Sequence, residues 1–166
     1  MHFVYDKELK CNFQGKVLLF FTESLILFYF LIMFIDHIAI YTNKLEELRE
    51  FYINYFDGVS NSLYFNQKKQ FKSYFITFKN GIRIELMSMA GIPANANDTI
   101  HSQHTGIIHL AFGVDKKEDV DAKAFQLAND GFKILDGPRK TGDGYYEFVT
   151  LDPDGNRIEV TTTNNA

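Results

Sequence analysis

The chain repeats itself, and no other feature limits its fold as strongly. IDHIAIYTNKLEELREFY at 35–52 returns as IIHLAFGVDKKEDVDAKAF at 107–125, and GIRIELM at 81–87 returns as GNRIEVT at 155–161. His37 and His109 stand 72 positions apart, and Glu85 and Glu159 stand 74 apart, so one register runs through both copies. A chain of 166 residues can bury one ordinary core, or two small modules sharing one.

Periodicity gives each copy the same order of elements. FIDHIAIY at 34–41 alternates as a strand does, and Leu45, Leu48, Tyr52 and Tyr55 then form a helical stripe. Asn43 with Glu46 resembles a capping box, and Gly58 lies just past the helix. Strands follow at about 59–65, 71–78 and 82–88, with a turn at Lys79-Asn80-Gly81. In the second copy a strand at 107–114 leads to a helix at about 116–129, with Asp115 as cap and Gly131 as stop. Strands near 132–136, 145–151 and 156–162 complete it, the last two joined by DPDGN at 152–156. The expected class is α+β. Tandem βαβββ modules at 34–89 and 106–163 form an open, cup-shaped mixed sheet with helices outside, joined by a polar linker at 90–105.

Strand alternation then sorts the side chains. Asp36, Ile38 and Ile40 take one face of the first strand, and His37, Ala39 and Tyr41 the other. Ile82, Ile84 and Leu86 oppose Arg83, Glu85 and Met87, and Ile158 and Val160 oppose Arg157, Glu159 and Thr161. A carboxylate set under a sheet needs compensation. Arg83 and Arg157 could supply it as ordinary ion pairs. The alternative is that His37, Glu85, His109 and Glu159 converge on one divalent metal, and the coincidence of both residue types at equivalent places in both copies favours it.

Residues 1–33 stand apart. The run VLLFFTESLILFYFLIMFI at 17–35 is long enough to cross a bilayer but is interrupted by Thr22, Glu23 and Ser24. It passes into the first strand without a linker, which suits an accessory or mis-assigned extension, with Met33 as initiator, better than a membrane anchor or a cleaved signal. A net charge of −4 with no basic face argues against nucleic-acid binding. The lone Cys11 suits a reducing, cytoplasmic setting, with membrane anchoring through 17–35 as the alternative.

From 34 to 163 the chain resembles the vicinal oxygen chelate superfamily, which includes glyoxalase I, methylmalonyl-CoA epimerase, extradiol dioxygenases and bleomycin-resistance proteins. His37, Glu85, His109 and Glu159 match the ligand set of glyoxalase I-like members. The resemblance implies one divalent ion (Ni, Co, Zn, Mn or Fe) and a glyoxalase-like lyase or isomerase acting on a small 2-oxo substrate through a metal-stabilised enediolate. Glu159, or else Glu85, would serve as the general base. Arg83, Arg157, Arg139, Tyr146 and Lys72 are candidates to meet an anionic substrate, and GPRKTGDGYY at 137–146 is a candidate lid. Family members build the cup within one chain or across a homodimer. An epimerase and a metal-free drug-binding protein are the rival functions. HIAIYTN lacks the arginine that follows the first metal histidine in glutathione-using glyoxalases, so the metal set is better matched than the thiol. His101 and His104 form a second, weaker histidine pair in the linker.

Overall fold

The computed structural model describes residues 11–12, 16–21, 24–29 and 33–164, the first three stretches as backbone alone. The chain divides into two compact units, Met1–Ile35 and Asp36–Ala166. In the first, β1 (Cys11–Asn12), β2 (Lys16–Phe21) and β3 (Ser24–Tyr29) form an antiparallel sheet in that order. The apolar run that offers itself as a membrane anchor therefore carries paired strands, from Lys16 opposite Tyr29 to Phe21 opposite Ser24. A six-residue apolar segment such as KVLLFF or SLILFY serves a strand as well as a helix. Among the described residues no helix is long and apolar enough to cross a membrane.

The second unit holds both repeats. The first runs β4 (His37–Tyr41), α1 (Leu45–Phe56), β5 (Val59–Ser60), β6 (Tyr64–Asn66), β7 (Phe71–Thr77) and β8 (Arg83–Ser88). The second runs β9 (His109–Gly113), α2 (Lys117–Asn129), β10 (Ile134–Lys140), β11 (Tyr146–Leu151) and β12 (Arg157–Thr162). Each makes an open mixed sheet, ordered β4-β8-β7-β5 and β9-β12-β11-β10, with β6 also paired to β7. In both, the first strand lies parallel to the last and the remaining pairs are antiparallel. The expected βαβββ order holds, except that the segment at 59–65 is split into β5 and β6.

Alternation drives the packing. Ile84 and Leu86 of β8, and Ile158 and Val160 of β12, are buried while their neighbours are half-exposed. Leu45, Leu48, Phe51 and Tyr52 of α1 and Val120, Ala124 and Leu127 of α2 complete a single core. The expected caps do not form. Lys44 and Lys116 occupy the cap positions without side-chain capping bonds, and Glu46 instead accepts a hydrogen bond from Tyr74 at 2.9 Å. A left-handed Asp57, one residue ahead of Gly58, ends α1.

Aromatic side chains join the modules. Phe51 and Tyr55 of α1 pack on Phe132, and Phe56 lies 4.3 Å from Phe112 between ring centroids. Tyr52 donates to Asp152 Oδ2 at 3.1 Å in a buried contact. Asp152 is the centre of the turn at 152–156, accepting from the backbone of Asp154 and Asn156 and from the Asn156 amide. Burial pushes its carboxyl up, against the hydrogen bonds from Asn156 and Tyr52 that pull it down. Tyr52→Phe leaves this carboxylate one donor short. The expected loss is about 1–3 kcal/mol of unfolding free energy, read by urea denaturation, and an unchanged midpoint would show that the bond adds nothing.

Candidate metal centre

Parallel pairing brings each histidine to its glutamate. In β4 and β8 the register sets His37 opposite Arg83 and Ala39 opposite Glu85; in β9 and β12 it sets His109 opposite Arg157 and Ala111 opposite Glu159. Each glutamate therefore lies diagonally from the histidine, beside an alanine too small to stand between them. His37 Nε2 is 3.6 Å from Glu85 Oε2, and His109 Nε2 is 3.7 Å from Glu159 Oε2. The glutamate side chains are 17% and 15% exposed, so both are largely withdrawn from water.

These gaps bear on two chemistries. A hydrogen bond needs about 2.7–3.2 Å, so neither pair is one. Two donors each about 2.1 Å from a shared tetrahedral cation stand about 3.4 Å apart, a little closer than these pairs. Imidazole nitrogen and carboxylate oxygen are donor types that a divalent ion takes. Among the described residues no group of three or more His, Cys, Asp or Glu is arranged to hold a metal, so within one chain the four expected ligands are not brought together.

Neither expected arginine–glutamate ion pair forms. Arg83 Nη2 pairs with Asp36 Oδ2, and Arg157 donates to the carbonyls of Thr99 and Ile100 in the linker. Arg157 has no carboxylate partner among the described residues, and it lines a cavity of ≈ 370 Å³ together with His109 and Asn156. Arg139 pairs with Asp136 and lies 3.8 Å from Glu147.

Two candidate substrate contacts lie off the His–Glu face. Tyr146 donates to Asp121 of α2 at 2.9 Å, which turns it toward the helix. Lys72 shares the face of Tyr74 and Ile76 and stands over the Phe65 ring at 5.8 Å. Much of the candidate lid is strand: Gly137 to Lys140 belong to β10, leaving a turn in which Thr141 N–H bonds to the Tyr145 carbonyl. His101 is bonded to Asp98 and His104 to the Thr105 carbonyl.

Two further carboxylates stand near the His–Glu pairs, and strand parity delivers only one of them. Asp36 precedes β4, escapes its alternation, and bonds His37 Nδ1 at 2.8 Å. Hydrogen bonds from His37 and then Arg83 hold its carboxyl below the usual range. Glu147 does follow parity, as another carboxylate between aromatic neighbours in β11, and it lies on the face of Glu159. Burial and then the charge of Glu159 push its carboxyl up, while Arg139 pulls it down.

With this geometry in view, the comparisons fall into place. The family model for the Glyoxalase/Bleomycin resistance protein/Dioxygenase superfamily matches residues 34–160, and the chain belongs to that family. No curated protein matches it. Among solved structures, a glyoxalase family protein from Enterococcus faecalis is similar at 21% identity and a TM-score of 0.62, over 76% of this chain and 95% of that one. A trypanothione-dependent glyoxalase I from Leishmania major is similar at 19% identity and a TM-score of 0.63, over 80% and 88%. A fosfomycin resistance protein from Listeria monocytogenes, complexed with Mn(II) and sulfate, is similar at 17% and 0.58, over 80% and 93%. These likenesses establish the fold.

The environment of Glu147 yields a pH prediction. A carboxyl raised in the fold favours the folded state most at pH below its unfolded value, and that advantage is lost as pH rises through the folded value. Carbon-13 NMR should find Glu147 titrating above an ordinary glutamate, and higher still in Arg139→Leu, where the cation that lowers it is gone. A Glu147 that titrates normally in both proteins would contradict this environment.

Proposed function

We propose that the domain is a metal-dependent lyase or isomerase of the glyoxalase I kind, acting on a small 2-oxo substrate of the α-oxoaldehyde type. The observation that carries this reading is the matched pair of imidazole–carboxylate gaps, 3.6 and 3.7 Å, at equivalent places in the two sheets. The donors are His37, Glu85, His109 and Glu159, and the ion is one of Ni, Co, Zn, Mn or Fe. The Mn(II) in the Listeria protein makes manganese one of the ions to test first.

Because the two pairs are separate within one chain, a second copy completes each centre. The first module of one chain faces the second module of its partner, and the homodimer carries two sites. An ion held by His37, Glu85, His109 and Glu159 would supply Lewis-acid stabilisation of an oxyanion developing on the substrate. Glu159 takes the proton beside the carbonyl and returns it to the neighbouring carbon, with Glu85 as the matching carboxylate of the other half. Arg157, beside His109 in the cavity and free of a carboxylate partner among the described residues, favours an anionic group on the substrate. The lone Cys11 accords with a cytoplasmic setting.

Metal analysis of the purified protein should give roughly one divalent ion per chain, and His37→Ala or His109→Ala should abolish binding. Glu159→Gln should keep most of the ion and lose about 10²–10⁴-fold in kcat. Mixing His37→Ala chains with His109→Ala chains should restore binding, because a mixed dimer keeps one intact centre from its two unmutated halves. No recovery on mixing would place the four ligands within one chain. Absence of any ion in the parent protein would leave a metal-free binding protein as the function.

A further inference from the structure

The two half-sites match in their donors and differ in what holds them. In the first, Asp36 Oδ2 accepts from His37 Nδ1 at 2.8 Å and pairs with Arg83 Nη2. The Arg83 guanidinium lies 4.7 Å over the Phe75 ring, and His37 meets the same ring edge-on at 5.3 Å between centroids. Imidazole, carboxylate, guanidinium and phenyl ring thus restrain one another. In the second, the counterpart of Asp36 is Ile108, and Val149 stands opposite Glu159 where Phe75 stands opposite Glu85. Arg157 reaches away to the linker carbonyls, and among the described residues no hydrogen-bond partner fixes the His109 ring.

The difference has a chemical consequence. An ionised carboxylate only accepts hydrogen bonds, so a neutral imidazole bonded to it through Nδ1 carries its proton there. The lone pair is then on Nε2, the nitrogen that faces Glu85. A ligating imidazole needs that lone pair and gains basicity when its other nitrogen donates to a carboxylate. Asp36 is half-exposed, and alone it would hold the ring weakly. Arg83, steadied on Phe75, keeps the carboxylate in place.

We propose that Asp36, held by Arg83, is a positioning residue that sets His37 in the Nδ1–H tautomer with its Nε2 lone pair toward Glu85, a device the second half-site lacks. The inference rests on the reading of His37 as a ligand for its purpose, but the tautomer can be measured without metal. Long-range proton–nitrogen correlation spectra of the metal-free protein at about pH 8, above the ordinary histidine range, report the tautomer of each ring. The expected result is Nδ1–H at His37 and the Nε2–H pattern of an unrestrained imidazole at His109. Asp36→Ala should move His37 to the His109 pattern, and Asp36→Asn, which keeps a carbonyl acceptor, should restore Nδ1–H.

Titration with Co²⁺ should then show about 10–100-fold weaker binding in Asp36→Ala, recovered in large part in Asp36→Asn. An Nε2–H His37 in the parent, or a tautomer indifferent to Asp36→Ala, overturns the proposal. A tautomer that shifts as expected in a protein that binds no Co²⁺ upholds the positioning of His37 and overturns the metal reading, so the two fail separately.

Discussion

One constraint governs the rest: in each module the first strand and the last lie side by side and parallel. A parallel pair cannot be closed by a tight turn and needs a long crossover. Here the crossover is a helix and the remaining strands, which is why His37 and Glu85 are 48 residues apart in sequence, and His109 and Glu159 are 50, yet each pair meets. The parallel register then fixes the diagonal placement, and the pleat sends Ile84, Leu86, Ile158 and Val160 inward while the glutamates stay on the other face. A slip of one residue would bury both carboxylates in the aliphatic core, at a cost no fold of this size could bear.

The same constraint makes the two halves equal in donors while leaving their surroundings free to differ. Arg83 and Arg157 hold equivalent register positions, yet one turns to a carboxylate and the other to linker carbonyls. Glu147 is confined to the second half, because its counterpart in the first is the buried Ser73, opposite Met87 as Glu147 is opposite Thr161. The two His–Glu pairs are therefore alike in residue type and unlike in the charge around them. In the proposed reaction such asymmetry would let the two carboxylates do different work.

Much of this was legible in the chain because two periodicities reinforce each other through a duplication. Alternation in IRIEL and RIEV placed the glutamates on the correct face, and the stripe from Leu45 to Tyr52 placed α1. What escaped is what lies outside regular structure or depends on long side chains. Parity alone sends Asp36 to the aliphatic face, but β4 begins one residue later and the Asp36 carboxylate bonds to His37. The arginines share a face with the glutamates, but a flexible side chain allows several partners, and the sequence does not rank them. Asn43 with Glu46 has the pattern of a capping box, and a tertiary contact from Tyr74 claims the glutamate instead. The loops around 137–146 were read from glycine content, and strand pairing of Arg139 with Glu147 overrode it.

In the proposed centre one imidazole and one carboxylate from each repeat meet at a single ion. X-ray absorption of the Co²⁺- or Mn²⁺-loaded protein counts imidazoles around the metal directly. Two imidazoles in the parent, falling to one or to no bound metal in His109→Ala, is the result expected. A single imidazole in the parent, unchanged by loss of His109, would mean that each half-site acts alone and that the repeats do not share a centre.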